Sequence, residues 1–175
     1  MKKIFKLCIY IIFFIVVTLI LLPKNSIYNL VEEKLSKQNV VISEEKREEK
    51  LLSLDVTDAK VYYQGIEGLN INSINFLTFL VYSEIEVKNI KLLENLSFFF
   101  PSYIKNIVLK HSLLDYKNIN IYGHGDFGVL NGNIDLMTRT LLLKIKPSKN
   151  MKDQYLKVLR QMKLDKGEYI YEYRF

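Results

Sequence analysis

The stretch Gly123-His-Gly-Asp-Phe-Gly-Val-Leu-Asn-Gly-Asn-Ile-Asp-Leu136 decides how the chain is read. Its first six residues spell G-x-G-x-x-G, the spacing of a phosphate-cradling loop. That chemistry needs a strand before the glycines and a helix N-terminus after them. Gly128 is succeeded by Val-Leu-Asn-Gly-Asn-Ile-Asp-Leu, which has no helical period, so the context fails. A metal site would use His124 and Asp126, with His111 as a third donor. Two ligands sharing one strand face do not close a coordination sphere, and no further donors lie nearby in sequence. The third reading is a β-hairpin. Asn131–Gly132 is a favoured two-residue turn, because both positions tolerate positive φ. A turn there pairs Val129 with Ile134 and Phe127 with Leu136 on one apolar face. Gly128 then faces Asp135, and Asp126 faces Met137, on the other. Asn131, Gly132, Phe127, Val129, Ile134 and Leu136 are thus the expected structural determinants.

The pattern extends both ways. Ile119 and Ile121 keep the parity of Phe127 and Val129, with Gly123 and Gly125 between them on the apolar face. A connection around 137–140 pairs Leu136 with Leu141 and Ile134 with Leu143. Three strands, roughly Asn118–Val129, Asn133–Met137 and Leu141–Lys146, then form an antiparallel meander that ends at Pro147.

Other segments read the same way. Short alternating runs rich in Val, Ile, Tyr and Phe fill the chain from Leu52 to Leu92. Ile85 and Val87 share one parity and Ile90 and Leu92 the other, so a bulge is expected near Lys88–Asn89. Pro101 excludes a central strand where it stands. Val40–Ser43 is a short strand candidate. Glu44–Lys50, seven charged residues in a row, reads as a solvated loop or hairpin tip. Residues 25–39 fit an amphipathic helix capped by Ser26, with Ile27, Leu30, Val31 and Leu35 as its apolar stripe. A second helix is expected near 150–164, with Met151, Tyr155, Val158, Leu159 and Met162 on one face and Asn150 as cap. The final strand alternates Tyr169, Tyr171, Tyr173 and Phe175 against Glu168, Ile170, Glu172 and Arg174. A core beneath the second helix is the expected cover for that aromatic ladder.

Composition supports a folded chain. Of 175 residues, 49% are apolar and 25% charged, which excludes disorder. The single cysteine, Cys8, excludes an internal disulfide and a cysteine-based zinc site. Lys2, Lys3 and Lys6 account for half of the net charge of +6, so the remainder is too balanced for nucleic-acid binding. No G-x-S-x-G, H-E-x-x-H or P-loop is present, and the expectation is a non-enzyme without catalytic residues, metal or cofactor. The N-terminus lacks the processing site and early glutamate of a pilin-like subunit.

Leu7–Leu22 is an uncharged apolar run behind three lysines, with no small-residue cleavage pattern at its end. It reads as an uncleaved transmembrane anchor that engages the bilayer through residues 4–22, with a modest bias towards a cytoplasmic N-terminus. The expected organisation is tail and anchor over 1–24, a membrane-proximal helix and charged connector over 25–50, and a β-sheet domain over 51–175. The expected fold is therefore mainly β: a transmembrane helix, then a curved antiparallel sheet with two short amphipathic helices.

Several segments together resemble a known family: Leu54-Asp-Val-Thr-Asp-Ala-Lys-Val-Tyr-Tyr-Gln-Gly-Ile66, the motif GxGxFGxLxGxIDLxxRxLxLxIxPS from Gly123 to Ser148, and the tyrosine-rich end from Val158 to Phe175. With the basic N-terminal run they resemble the type II secretion system protein N family, akin to AsmA-like envelope proteins with long curved sheets. The resemblance implies a single-pass protein of the bacterial inner membrane with its C-terminal domain in the periplasm. It implies a non-enzymatic accessory of secretion or envelope assembly, in contact with other envelope or secretion proteins. The alternative expectation is a lipid-binding or lipid-transfer module that uses an apolar sheet face.

Overall fold

The architecture is that of a computed structural model, which describes residues 2–21, 23–79 and 81–175. Helix α1 (Lys2–Ile20) leads through Pro23 into α2 (Lys24–Ser36). Five strands come next: β1 (Val40–Ser43), β2 (Lys46–Glu49), β3 (Ser53–Tyr63), β4 (Ile66–Phe79) and β5 (Tyr82–Leu92). A one-turn helix α3 (Glu94–Ser97) precedes β6 (Tyr103–Ser112), β7 (Asp115–Gly125), β8 (Gly128–Asp135) and β9 (Thr140–Pro147). Short helices α4 (Lys149–Gln154) and α5 (Leu156–Leu159) lead to β10 (Lys163–Asp165) and β11 (Glu168–Arg174).

All strands join one antiparallel sheet in the order β1-β3-β4-β5-β6-β7-β8-β9-β11-β10, with β2 beside β3. Neighbours in sequence are mostly neighbours in space, because two-residue and short loops can only return the chain to an adjacent antiparallel position. The β3–β4 turn is Gln64–Gly65, with φ of 51° and 80°, so both turn residues are left-handed.

The hairpin expected at Asn131–Gly132 lies elsewhere. The chain turns at Asp126–Phe127, and Gly125 pairs with Gly128. Gly128 has φ of 112°, and a Cβ there would stand 2.2 Å from the Lys146 carbonyl oxygen, so only glycine closes this turn. Asn131 and Gly132 continue straight through β8, opposite Tyr122 and Ile121. A Cβ on Gly132 would lie 2.7 Å from Leu143 Cδ2, so the glycine makes room for its neighbour on β9. The pairs Val129/Ile134 and Phe127/Leu136 are not formed. Ile134 faces Ile119 and Leu141 instead. Tertiary fit on both sides of β8 outweighs the local turn preference of Asn-Gly.

The parity change near Asn89 is present, and four strands share it. Asn89 has φ of 53° and Asp58 has φ of 58°. The bridged pairs step from Thr57↔Ser73 to Ala59↔Ile71, from Ser73↔Lys88 to Ile71↔Ile90, and from Lys88↔Asn106 to Ile90↔Ile104. Asp58, Asn72, Asn89 and Lys105 therefore form one line of skipped residues. Inward-facing residues are Leu54, Val56, Ala59 and Val61 on β3, and Ile85, Val87, Ile90 and Leu92 on β5. The line ends between β6 and β7, where the register shifts between Ile104 and Asn106.

The helical expectations need correction. Among the described residues no helix is long and apolar enough to cross a membrane. Lys3 and Lys6 stand inside α1, so its charge-free described part is Leu7–Ile20. That part is about 21 Å long at ~1.5 Å per residue, against a hydrocarbon core of about 30 Å. Leu22, the end of the expected run, lies outside the described residues. The transmembrane anchor in the expected fold is overturned on this ground, and with it the single-pass inner-membrane placement and the periplasmic C-terminal domain. The described chain is a mainly β antiparallel sheet with five helices. The second amphipathic helix is two pieces, broken where Tyr155 leaves helical geometry at φ −117°. Its cap is Ser148, whose hydroxyl accepts from the Met151 N–H at 3.0 Å. Glu44–Lys50 is not simply a solvated loop: the Glu45 side chain is only 9% exposed and that of Arg47 28%, and Lys46–Glu49 pairs with β3 as a strand.

Candidate functional site: the apolar face of the sheet

The registers place one apolar row after another across the sheet. Leu54 faces Phe76, Phe76 faces Ile85, Ile85 faces Leu109 and Leu109 faces Ile121. Gly132, Leu143 and Tyr171 continue that row to β11. A parallel row runs Ser83, His111, Ile119, Ile134, Leu141, Tyr173. Alternation within each strand turns polar residues such as Asp55, Asn75, Glu86 and Lys110 to the opposite face.

Helix α2 covers only one end of this apolar face. Its anchor is Tyr28, 3% exposed, which packs with Leu54, Val56, Ala59 and Ile74. The Tyr28 ring meets Phe76 edge to face at 5.5 Å. Arg47 of β2 lies over the other side of the ring, 4.3 Å from its centroid. Its guanidinium donates to both Glu32 carboxylate oxygens at 2.9 and 2.8 Å and to Asn29 Oδ1 at 2.6 Å, which ties the helix down. The expected stripe is not the buried one: Ile27, Leu30 and Val31 are 42–59% exposed, while Lys24 and Tyr28 are buried. Lys24 pairs with Glu49 at 3.5 Å.

Beyond α2 the face opens. A cavity of 300 Å³ lies beside Ile27, Tyr28, Phe76, Ser83 and Ile85. A second of 250 Å³ adjoins it through Ser83 and Ile85 and continues along Leu109, His111, Ile119 and Leu136. Helices α3, α4 and α5 sit at another margin. Leu96 of α3 lies over Gly68, and the Tyr155 hydroxyl donates to the Ser97 carbonyl at 3.0 Å. Met151 and Leu159 are buried there, but Tyr171 and Tyr173 are 37% and 52% exposed. The expected cover over the tyrosine ladder is therefore missing among the described residues.

One polar group borders the groove, and an ion pair lies behind it on the polar face of the sheet. The Tyr28 hydroxyl is buried and makes no hydrogen bond of ordinary geometry among the described residues. Burial first, then the charges of Glu32 and Glu45, push its pKa up to about 12, so it stays a proton donor throughout the physiological range. Glu84 accepts from the Tyr82 hydroxyl and pairs with Lys110 at 3.3 Å; these contacts hold its carboxyl below the usual range against the opposing effect of burial.

Of the residues singled out in sequence, Gly132 and Ile134 lie on the apolar face and Leu136 lines the second cavity. Val129 and Asn131 lie on the polar face, opposite His124 and Tyr122, and Phe127 sits in the turn. His111 and His124 belong to different faces: His111 lies between Ser83 and Ile119, His124 beside Asn106. Among the described residues no group of three metal-ligating side chains assembles. Sequence reasoning missed Tyr28, whose signal was the aromatic residue in a helix otherwise read by its aliphatics. No family model, no curated protein and no solved structure matches the chain.

Proposed function

We propose that the chain is a non-enzymatic lipid-binding module that holds acyl chains against the apolar face of its sheet. The observation that carries this reading is the mismatch between pattern and cover. The apolar rows run from β3 to β11, whereas α2 roofs only the first strands. The two adjoining cavities begin where that roof ends, are lined chiefly by aliphatic side chains, and have only a few polar groups at their margin. That is the composition of a site for a long apolar ligand with a small polar end. Helix α1 adds a second support. Nearly all its described side chains are exposed, including Phe13 at 66% and Phe14 at 70%, and lysines crowd its start, so it suits contact with an anionic lipid surface.

The other reading, a non-enzymatic accessory of a secretion or envelope assembly, needs a protein to cover the same face. The aliphatic lining, with few hydrogen-bonding groups within it, favours acyl chains over a polypeptide, whose backbone requires partners.

The test uses the full chain, purified in a mild detergent and stripped of lipid by extensive exchange. A fluorescent long-chain fatty acid should bind saturably, and Ile119→Lys, which places a charge in the groove, should weaken it about tenfold or more. Binding no stronger than to an unrelated β-protein, or an Ile119→Lys variant with unchanged affinity, would remove this reading.

A further inference from the structure

We propose that two copies of the chain join edge to edge through residues 171–175, aligned antiparallel about Tyr173. Strand β10 covers β11 only at Glu168, Tyr169 and Ile170. Among the described residues no strand pairs with 171–175 on the side away from β9. These five residues are all exposed, and the Phe175 N–H extends the ladder on the β9 side by donating to the Arg139 carbonyl at 3.0 Å. An open edge of this kind is a pairing template unless charge, proline or a cover blocks it. The strand β2 near the opposite edge is blocked in that way, since its sequence is Lys-Arg-Glu-Glu. The sequence Tyr-Glu-Tyr-Arg-Phe carries one acid and one base, which oppose pairing only in registers that set like charges opposite one another.

The sequence is also self-complementary. With a two-fold axis at Tyr173, Glu172 faces Arg174 of the second copy, and Arg174 faces its Glu172. Tyr171 faces Phe175 of the second copy on the apolar side, and Tyr173 faces its own counterpart. Centring on Glu172 or Arg174 sets like charges opposite one another. Centring between residues sets tyrosine against glutamate and mixes the two faces. Neither Glu172 nor Arg174 has an ion-pair partner within its own chain among the described residues. An antiparallel pair has its two-fold axis perpendicular to the sheet, so both apolar faces stay on the same side.

The experiment is sedimentation equilibrium of the full chain in a mild detergent. The native chain should dimerise. Glu172→Arg and Arg174→Glu each set like charges opposite twice, and each should raise the dimer Kd roughly tenfold or more. A mixture of the two variants restores both attractive pairs and should form a heterodimer near native affinity. Circular dichroism of each variant controls for folding. In a Cys8→Ser background, Tyr173→Cys should form a disulfide-linked dimer on mild oxidation, whereas Glu172→Cys should not. A native chain monomeric at all concentrations, a dimer indifferent to Glu172→Arg, or a mixture as weak as either variant alone would overturn the proposal.

Discussion

The two halves of the sheet share one pattern and differ in cover. In the first half Leu54, Val56 and Ala59 are at most 1% exposed, because Tyr28 closes over them and Arg47 closes over Tyr28. In the second half Ile119, Ile134 and Leu141 occupy equivalent inward positions and are only partly covered. Alternation therefore specifies which way a side chain points. The cover above it is set by a different part of the chain, here one aromatic residue on a helix 26 positions before Leu54. The difference also separates stability from binding: the roofed half holds the buried cluster around Tyr28, whereas the open half buries Ile121, Ile145, Met151 and Leu159 but keeps apolar surface available beside them.

The largest effect expected from this contrast is at Tyr28. Tyr28→Ala removes the roof's anchor and should cost about 3–5 kcal/mol in urea unfolding, as for other buried aromatics. A loss below about 1 kcal/mol would mean that the roof does not hold the first half together. Next comes Gly128→Ala in the open half, where a Cβ meets backbone at 2.2 Å and φ is 112°. The expected loss is about 1–3 kcal/mol, from strain rather than lost burial. Tyr173→Ala, at a position 52% exposed in the single chain, should change the stability of the unpaired chain, measured at high dilution, by no more than about 0.5 kcal/mol. A loss comparable to that of Tyr28→Ala would show that something covers the open half after all.

The smallest effect is acid sensitivity. In the folded chain the Tyr82 hydroxyl and Lys110 hold the Glu84 carboxyl below its ordinary value of 4.5. A depressed folded pKa contributes stability that is complete above the unfolded value and is lost as pH falls through the folded one. Asp55, held below 3.8 chiefly by the hydrogen bond from Lys50, has the same sign. Thermal midpoints should therefore fall on acidification below about pH 4.5, and Glu84→Gln should make that fall shallower. An unchanged slope in the variant would assign the acid loss to other groups.

The strand content was legible from alternation, and so was the inward parity of Ile119, Ile121, Gly123 and Gly125. The final tyrosine strand was equally legible, since Tyr169, Tyr171 and Tyr173 do face Ile145, Leu143 and Leu141. The turn between β7 and β8 was not. Asn131–Gly132 has the stronger local preference, but only the glycine space needed by Leu143 and the positive φ at Gly128 decide between the two turns. Both are properties of the assembled sheet. The split of α4 from α5 was hidden for a similar reason: Tyr155 departs from the helix to reach a carbonyl 58 residues earlier. Of the residues picked out for a hairpin, Leu136 lines the second cavity and Gly132 and Ile134 lie on the same face, but the groove itself arises from where α2 stops.

The line Asp58–Asn72–Asn89–Lys105 has a consequence for how such a chain can change over generations. Removing Asn89 alone would leave Ile90 and Leu92 in alternation with Val87, but it would shorten β5 by one residue against β4 and β6 and put the pairs Ile71↔Ile90 and Ile90↔Ile104 out of step. Its neighbours would then no longer match it. Insertions and deletions along this line are tolerable only when four strands change length together, so β3 to β6 are bound to be inherited as one block.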